Sequence, residues 1–337
     1  MEEIDHDFAE QIAVGLFRVF KGLDIRKGTR QARLLTLGQD SPEQVRFPNA
    51  HLVAVTGRTP EKVARAAALH NVPKTFLSVE ELLAGAQFDA AAVCTPPQAH
   101  TAAVTALLRA GKDVYCEKPL APKLSEMEAM VTLAKEMDRV FMVGMNRRYA
   151  PVCVRAKELF ADRQLDLCVV EKHKDVLDQR PLLNDGLHMI DYMRWVCGGQ
   201  ARVVSALARA EDADRESTLT AVIEFDGGPI GVFLMNRRAG RWMERATLHG
   251  GGCSTTLDFP DSSLTHLGGE STIYEFRPKD WAWAVDMLEK GGFQQEMEDF
   301  IQCVQSRGVP RAPAEDAVES HRVVDTIYRM CGLAGLG

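Results

Sequence analysis

Between His51 and Gly144, short apolar runs alternate with segments of helical periodicity, and few folds accept that alternation. The runs His51–Thr56, Phe88–Cys94, Asp113–Cys116 and Val140–Gly144 are too short for buried helices and read as buried strands. Between them lie helix-like stretches with recognisable ends. Thr59 stands as an N-cap before Pro60 at the first helical position. Ser78 precedes Glu81 by three residues, the capping-box spacing. Gly111 closes a helix over Ala99–Ala110, and a further helix spans Lys123–Met137. An apolar run at 12–17, Ile-Ala-Val-Gly-Leu-Phe, supplies a first strand, whereas 24–50 is charged and lacks clear periodicity. Strands and helices in this rhythm give a parallel sheet wrapped by helices, and right-handed crossovers make it a doubly wound, Rossmann-type α/β architecture.

The rhythm changes at Tyr149-Ala150-Pro151. A helix (152–160) and a strand (165–173) follow, then a helix around His188. Beyond Gly198-Gly199 the chain becomes strand-rich, with turn residues such as Asp226-Gly227-Gly228 between runs. Helices at 294–305 and 315–330 close the chain. The expectation is a dinucleotide-binding domain over 1–148 and an α+β domain over 149–337, the second built on a large, mostly antiparallel open sheet. The 337 residues suit two such cores.

Composition excludes several classes of partner. The net charge is −7 and no basic block occurs, which argues against nucleic acid. The eight cysteines include no C-x-x-C pair, so no zinc site or other metal centre is indicated. They read as reduced thiols of a cytoplasmic protein. The acidic start Met1-Glu2-Glu3 is unlike a signal peptide, and no uncharged stretch reaches the ~18 residues of a membrane helix.

Two stretches carry unusual chemical density. One is Cys116-Glu117-Lys118-Pro119-Leu120, at the end of a strand. Position alone is compatible with a surface lysine, but Pro119 fixes the backbone and favours a rigidly presented amine. The other is Asn184-Asp185-Gly186-Leu187-His188, whose imidazole titrates near neutral pH. A lysine and a histidine drawn from two domains suit hydride chemistry on a hydroxyl or carbonyl.

Together with Leu52-Val-Ala-Val, Cys94-Thr-Pro-Pro97 with His100, Glu117-Lys-Pro-Leu120, Gly144-Met-Asn-Arg-Arg148, Gly186-Leu-His188-x-x-Asp191 and Gly292-Phe293-x-x-Glu296-x-x-x-Phe300, these stretches give a chain that resembles the glucose–fructose oxidoreductase / inositol dehydrogenase (Gfo/Idh/MocA) family. The resemblance covers nearly everything after residue 50. It implies an NAD(P)-dependent oxidoreductase of sugars, cyclitols or related polyols and ketosugars, assembled as a homodimer or homotetramer through the second-domain sheet. It implies catalytic roles for Lys118 and His188, and places Thr95, Pro96 and His100 along the cofactor. Glu117 positions Lys118, touches the nicotinamide ribose or forms a structural ion pair.

The chain departs from the family in two places. Asn184 stands where the family usually has an aspartate; it can orient the His188 ring but cannot balance an imidazolium. Asp185 and Arg148 are further substrate-side candidates. Asp191 either meets a substrate hydroxyl or solvates its helix. No G-x-G-x-x-G follows the expected first strand. The nearest stretch runs from Gly15 to Gly22, where Phe17 and Phe20 replace glycines; either Arg18 and its neighbours supply charge there, or dinucleotide binding is weakened. After the second strand, Arg58 stands where an acidic residue would grip the ribose of NAD, which favours NADP(H) over NAD(H). Lys172 and Lys174 point the same way from a strand and face either an anionic substrate or solvent. The departures also fit a cofactor- or sugar-sensing relative without turnover.

Overall fold

Six short strands pair in parallel: β1 (Ala32–Leu37), β2 (Ala50–Thr56), β3 (Thr75–Phe76), β4 (Ala90–Val93), β5 (Asp113–Cys116) and β6 (Phe141–Val143). They are seen in a computed structural model that describes residues 32–37, 50–269, 272–276 and 287–337. The order is β3-β2-β1-β4-β5-β6, a doubly wound sheet. Every residue of β4 and β5 is buried, so these strands show no alternation.

The crossovers are α1 (Pro60–His70), α2 (Val79–Gly85), α3 (Pro97–Arg109) and α4 (Leu124–Glu136). The Ser78 hydroxyl accepts from the Glu81 amide at 3.1 Å, while the Glu81 carboxylate accepts from the Leu77 amide at 3.0 Å, so α2 has a reciprocal cap. Thr59 occupies the N-cap of α1 without a side-chain cap bond, leaving Pro60 to set the first turn.

The expected first strand at 12–17 lies outside the described residues. The strand that pairs with both β2 and β4 is instead Ala32–Leu37, inside the stretch without clear periodicity. Its apolar signal, Leu34-Leu35-Thr36-Leu37, is short and does not alternate, which hides a central strand among charged neighbours.

The other unit comprises α5 (Pro151–Glu158), β7 (Leu167–His173), α6 (Leu187–Cys197), β8 (Ala201–Ala210), β9 (Glu216–Phe225), β10 (Ile230–Asn236), β11 (Met243–Gly250), β12 (Cys253–Asp258), β13 (Ser262–Leu267), β14 (Thr272–Phe276) and α7 (Met287–Lys290). Its eight strands run β14-β13-β12-β11-β7-β10-β9-β8, all antiparallel except β7 with β10. Burial alternates along β7, β10, β11 and β12. One face is therefore core, with Cys168, Val170, Phe233, Met235, Ala246 and Leu248 buried beneath α6. Among the described residues no helix is long and apolar enough to cross a membrane.

The two compact units divide at 144/145 rather than at the expected 148/149, and residues 293–316 belong to the first. These residues are α8 (Phe293–Ser306) and the segment after it. The Phe300 ring is fully buried and sits 6.0 Å from that of Tyr115 on β5. Arg307 pairs with Asp113 at 2.8 Å, and the Val143 amide donates to Ala312 at 3.1 Å. α9 (Ala314–Met330) then belongs mainly to the second unit, where the Tyr328 hydroxyl donates to Glu216 at 2.9 Å.

The second unit also buries a network of charge. Glu244 accepts from Arg147 through both oxygens, at 2.5 and 2.8 Å, and from the Lys172 ammonium. All three are at most 2% exposed. Burial alone would raise the Glu244 carboxyl, yet Arg147 and Lys172 hold it down at about 2. The Phe259 ring covers the Arg147 guanidinium at 4.2 Å. Glu244→Ala leaves two buried cations facing each other and should lower unfolding free energy by about 3–5 kcal/mol in a urea titration. Lys135→Ala, which breaks an exposed pair with Glu315, should cost less than ~1 kcal/mol in the same measurement.

Candidate functional site

Parallel strands deliver their C-terminal ends to one edge of the first sheet. β1 lies between β2 and β4, where the winding reverses, and in such sheets ligands bind in the crevice at that reversal. Thr56-Gly57-Arg58 leave this edge from β2, Cys94-Thr95-Pro96 from β4, and Glu117-Lys118-Pro119 from β5. Arg58 is exposed at the entry to α1. The Thr95 Oγ1 is buried without a hydrogen-bond partner among the described residues. A buried hydroxyl left unsatisfied beside the reversal fits a polar group of a bound dinucleotide. Thr95, Pro96 and Arg58 would hold such a cofactor.

The expected cofactor contact His100 bridges two turns. It is fully buried on α3, with Nε2 2.5 Å from the Thr95 carbonyl oxygen. Its Nδ1 lies 3.2 Å from the carbonyl oxygens of Pro119 and Leu120. Burial pushes this imidazole below its ordinary value, against the pull of those carbonyls. Backbone carbonyls meet both ring nitrogens, a neutral imidazole donates through one of them, and the ring ties the turn after β4 to the Lys118 turn. Lys118 is half-buried, and its bond to Pro119 is cis.

Next to Lys118, Glu117 meets a residue that sequence patterns do not single out. The Tyr115 hydroxyl lies 3.0 Å from Glu117 Oε1 and 3.1 Å from Glu296 Oε2 on α8. Burial raises the Glu117 carboxyl to about 6, although Lys118 and Tyr115 pull it down. Gly144, just after β6, makes the arrangement possible. A Cβ there would sit 2.5 Å from the Tyr115 hydroxyl and 3.0 Å from Glu117 Oε2. Gly144 and Glu296 stand within stretches noted in the sequence, but only the fold shows that both serve Tyr115 and Glu117.

In the second unit, His188 is 4% exposed near the start of α6. The helix is entered through a π-helical turn, Leu182–Gly186, a widened geometry often found at functional sites. Asn184 lies in that turn and its side-chain amide donates to the Gln179 carbonyl at 2.6 Å. The expected substrate contacts Asp185, Asp191 and Arg148 are drawn into ion pairs. Asp191 accepts from Arg148 at 2.6 and 2.8 Å and from Ser320 at 2.7 Å, with Asp191 and Arg148 at most 2% exposed. Asp185 is met by Arg237 at 2.6 Å, Lys172 at 3.1 Å and Lys174 at 3.2 Å. A buried carboxylate is stable as an ion only when it is paired and hydrogen-bonded, which is why these groups face each other. Lys172 is accordingly a buried partner of Glu244 and Asp185, not a solvated edge.

The glycine-loop candidates Gly15, Arg18 and Gly22 lie outside the described residues. Because β1 is Ala32–Leu37, the segment that follows the central strand is 38–49, whose sequence holds one glycine, Gly38.

Comparison with known proteins agrees with both halves of this description. Residues 37–145 match the family model described as "Oxidoreductase family, NAD-binding Rossmann fold". Residues 180–332 match the C-terminal alpha/beta domain of the same family, GFO_IDH_MocA. The protein YceM of Salmonella typhimurium is 31% identical over 251 residues, 72% of this chain and 78% of that protein. The trans-1,2-dihydrobenzene-1,2-diol dehydrogenase of Bos taurus is 28% identical over 304 residues, 85% of this chain and 89% of the enzyme. Among solved structures, a dehydrogenase from Chromobacterium violaceum has a TM-score of 0.82 at 18% identity, covering 90% of this chain and 96% of the other. GenD2 from gentamicin A biosynthesis, in complex with NAD, has a TM-score of 0.74 at 22% identity, covering 92% and 97%. At these identities the two structures establish a shared fold.

The Glu117 environment sets a pH signature. Its folded value of about 6 lies above the ordinary 4.5, so the folded state binds that proton more tightly. The stabilisation is full below 4.5 and is lost as pH rises through about 6, amounting to ~2 kcal/mol at most for this half-buried side chain. Thermal melts across that window should show a decline in the native protein that flattens in Glu117→Gln.

Proposed function

Because the chain belongs to the Gfo/Idh/MocA oxidoreductase family, we propose that it moves hydride between a nicotinamide cofactor and a sugar, cyclitol or related polyol or ketosugar. The observation that carries this reading is the placement of Thr95 and Lys118 at neighbouring strand ends of a doubly wound sheet, with the Thr95 hydroxyl unsatisfied. When bound, the nicotinamide supplies the hydride-carrying carbon. This chain supplies the rest. The Lys118 ammonium hydrogen-bonds the reacting oxygen and helps move its proton, and Glu117 sets the charge beside that ammonium. The His188 imidazole takes or returns the hydroxyl proton.

Arg58 supports NADP(H) over NAD(H), since a guanidinium after β2 accommodates a 2′-phosphate. The outer face of the eight-stranded sheet supports self-association into a homodimer or homotetramer. A second reading, ligand sensing without turnover, is favoured by the single glycine in 38–49.

Calorimetric titration with NADPH and NADH, followed by absorbance assays on a polyol and ketosugar panel, separates the readings. Lys118→Ala should lower turnover by about 10²–10⁴-fold while leaving cofactor affinity within a few-fold. Arg58→Ala should weaken NADPH binding by about tenfold and spare NADH. Cofactor binding without turnover on any substrate selects the sensor, and absence of cofactor binding removes the oxidoreductase reading.

A further inference from the structure

Tyr115 and Glu296 have no place in the chemistry above, yet both are 1% exposed and polar. A phenol carries one proton. The Tyr115 hydroxyl is nonetheless at hydrogen-bond distance from two carboxyl oxygens, Glu117 Oε1 and Glu296 Oε2. It donates to one of them. If the other were also ionised, its oxygen would face the phenol lone pairs across about 3 Å in a low-dielectric interior, a repulsive contact. A proton on the second carboxyl turns that contact into a hydrogen bond.

We propose that the Glu117 and Glu296 carboxyls share one proton through the Tyr115 hydroxyl, and that Tyr115 and Glu296 are thereby positioning residues that set the charge beside Lys118. Two arrangements are available. In one, Glu117 keeps the proton and donates to the Tyr115 oxygen, while the Tyr115 O–H donates to an ionised Glu296. In the other, Glu296 keeps the proton and Tyr115 donates to an ionised Glu117. Exchange between them moves one proton along each hydrogen bond and releases none. The single negative charge passes from Glu296 to the neighbour of Lys118, or back.

The surroundings contain the charge within the array. Cys94, at the end of β4, and Cys116, at the end of β5, face it, and burial pushes both thiols well up, so they stay neutral. Phe300 from α8 packs against the Tyr115 ring, and Gly144 after β6 leaves no room for a side chain between Tyr115 and Glu117. Among the described residues, Lys118 is the cation that acts on Glu117. Burial raises the Glu117 carboxyl to about 6, the direction that favours a proton there. With Glu117 neutral, the Lys118 ammonium loses its adjacent counter-charge and gives up its proton more readily. That last consequence rests on the role given to Lys118 under Proposed function; the shared proton does not.

The test is a pH titration of the full-length protein labelled with ¹³C at the glutamate carboxyl, read by NMR, with Glu117→Gln assigning its signal. In the native protein Glu117 should titrate near about 6. In Glu296→Gln, no second carboxylate competes with Glu117 for the Tyr115 proton, and the Glu117 midpoint should fall by at least one unit, a tenfold loss of proton affinity. Tyr115→Phe should uncouple the two glutamates, so that adding Glu296→Gln moves Glu117 no further. A Glu117 midpoint unchanged by Glu296→Gln overturns the proposal. If that variant does not fold, Tyr115→Phe alone decides it, since an unaltered Glu117 titration there overturns it equally. The acid limb of kcat/KM should shift with the NMR midpoint in the same variants. Loss of all cofactor binding and turnover would defeat the proposed function while the NMR result still decides the shared proton.

Discussion

Parallel pairing forces every strand of the first sheet to end at the same edge, because each connection must cross back over a face before the next strand begins. That constraint gathers residues distant in sequence. Arg58, Thr95 and Lys118 leave three different strands, and each stands within two residues of a strand end. The register sharpens the gathering: Val93 pairs with Cys116, so Cys94 lies beside Glu117. Helices on both faces then shield the strands. A turn leaving such a sheet is exposed to ligand while its neighbours remain dry, and that contrast lets Glu117 sit next to Lys118 with a carboxyl raised to about 6.

The second unit handles charge in a different way. Its antiparallel sheet turns one face inward, and that face carries Lys172 and Glu244 among apolar neighbours. Each ion is paired, several through both oxygens of a carboxylate. Such networks are weak as a source of net stability but severe when one member is removed. They hold β7, β11, the π-helical turn and the start of α6 in fixed relation, since Asp185, Lys172, Glu244 and Arg147 bond in sequence. His188 is therefore carried by a helix whose entry is anchored by ions.

Much of this was legible in the residues. Buried runs and caps located β2, β4, β5, β6 and the helices between them, because short apolar runs and Ser78 or Gly111 act locally. The strand-rich second half was also apparent, although β13, whose Ser263-Leu-Thr-His266 alternates only weakly, was not. The central strand does not show in the pattern: the apolar residues of Ala32–Leu37 do not alternate and sit between charged flanks. The ion pairs of the polar candidates were hidden for a related reason. Asp185, Asp191 and Arg148 are chemically conspicuous, but a one-dimensional pattern does not say whether an ion faces a ligand or another ion. Glu296 and Tyr115 were silent because they meet across 181 residues.

That separation has a consequence for how the chain is made. The first unit receives α8 only after residues 145–292 have been synthesised, so its folding does not follow the order of translation. While the ribosome completes the intervening unit, the Tyr115 side of β5 waits without Phe300 and Glu296 to cover it. Domains that emerge first ordinarily fold first. Here neither unit is complete when its first segment has emerged: the first needs residues up to 316, and the second needs the C-terminal helix. An interrupted chain ending before residue 293 would leave a phenol and a carboxyl next to Lys118 exposed to water, with the chemistry of that turn altered before any substrate arrives.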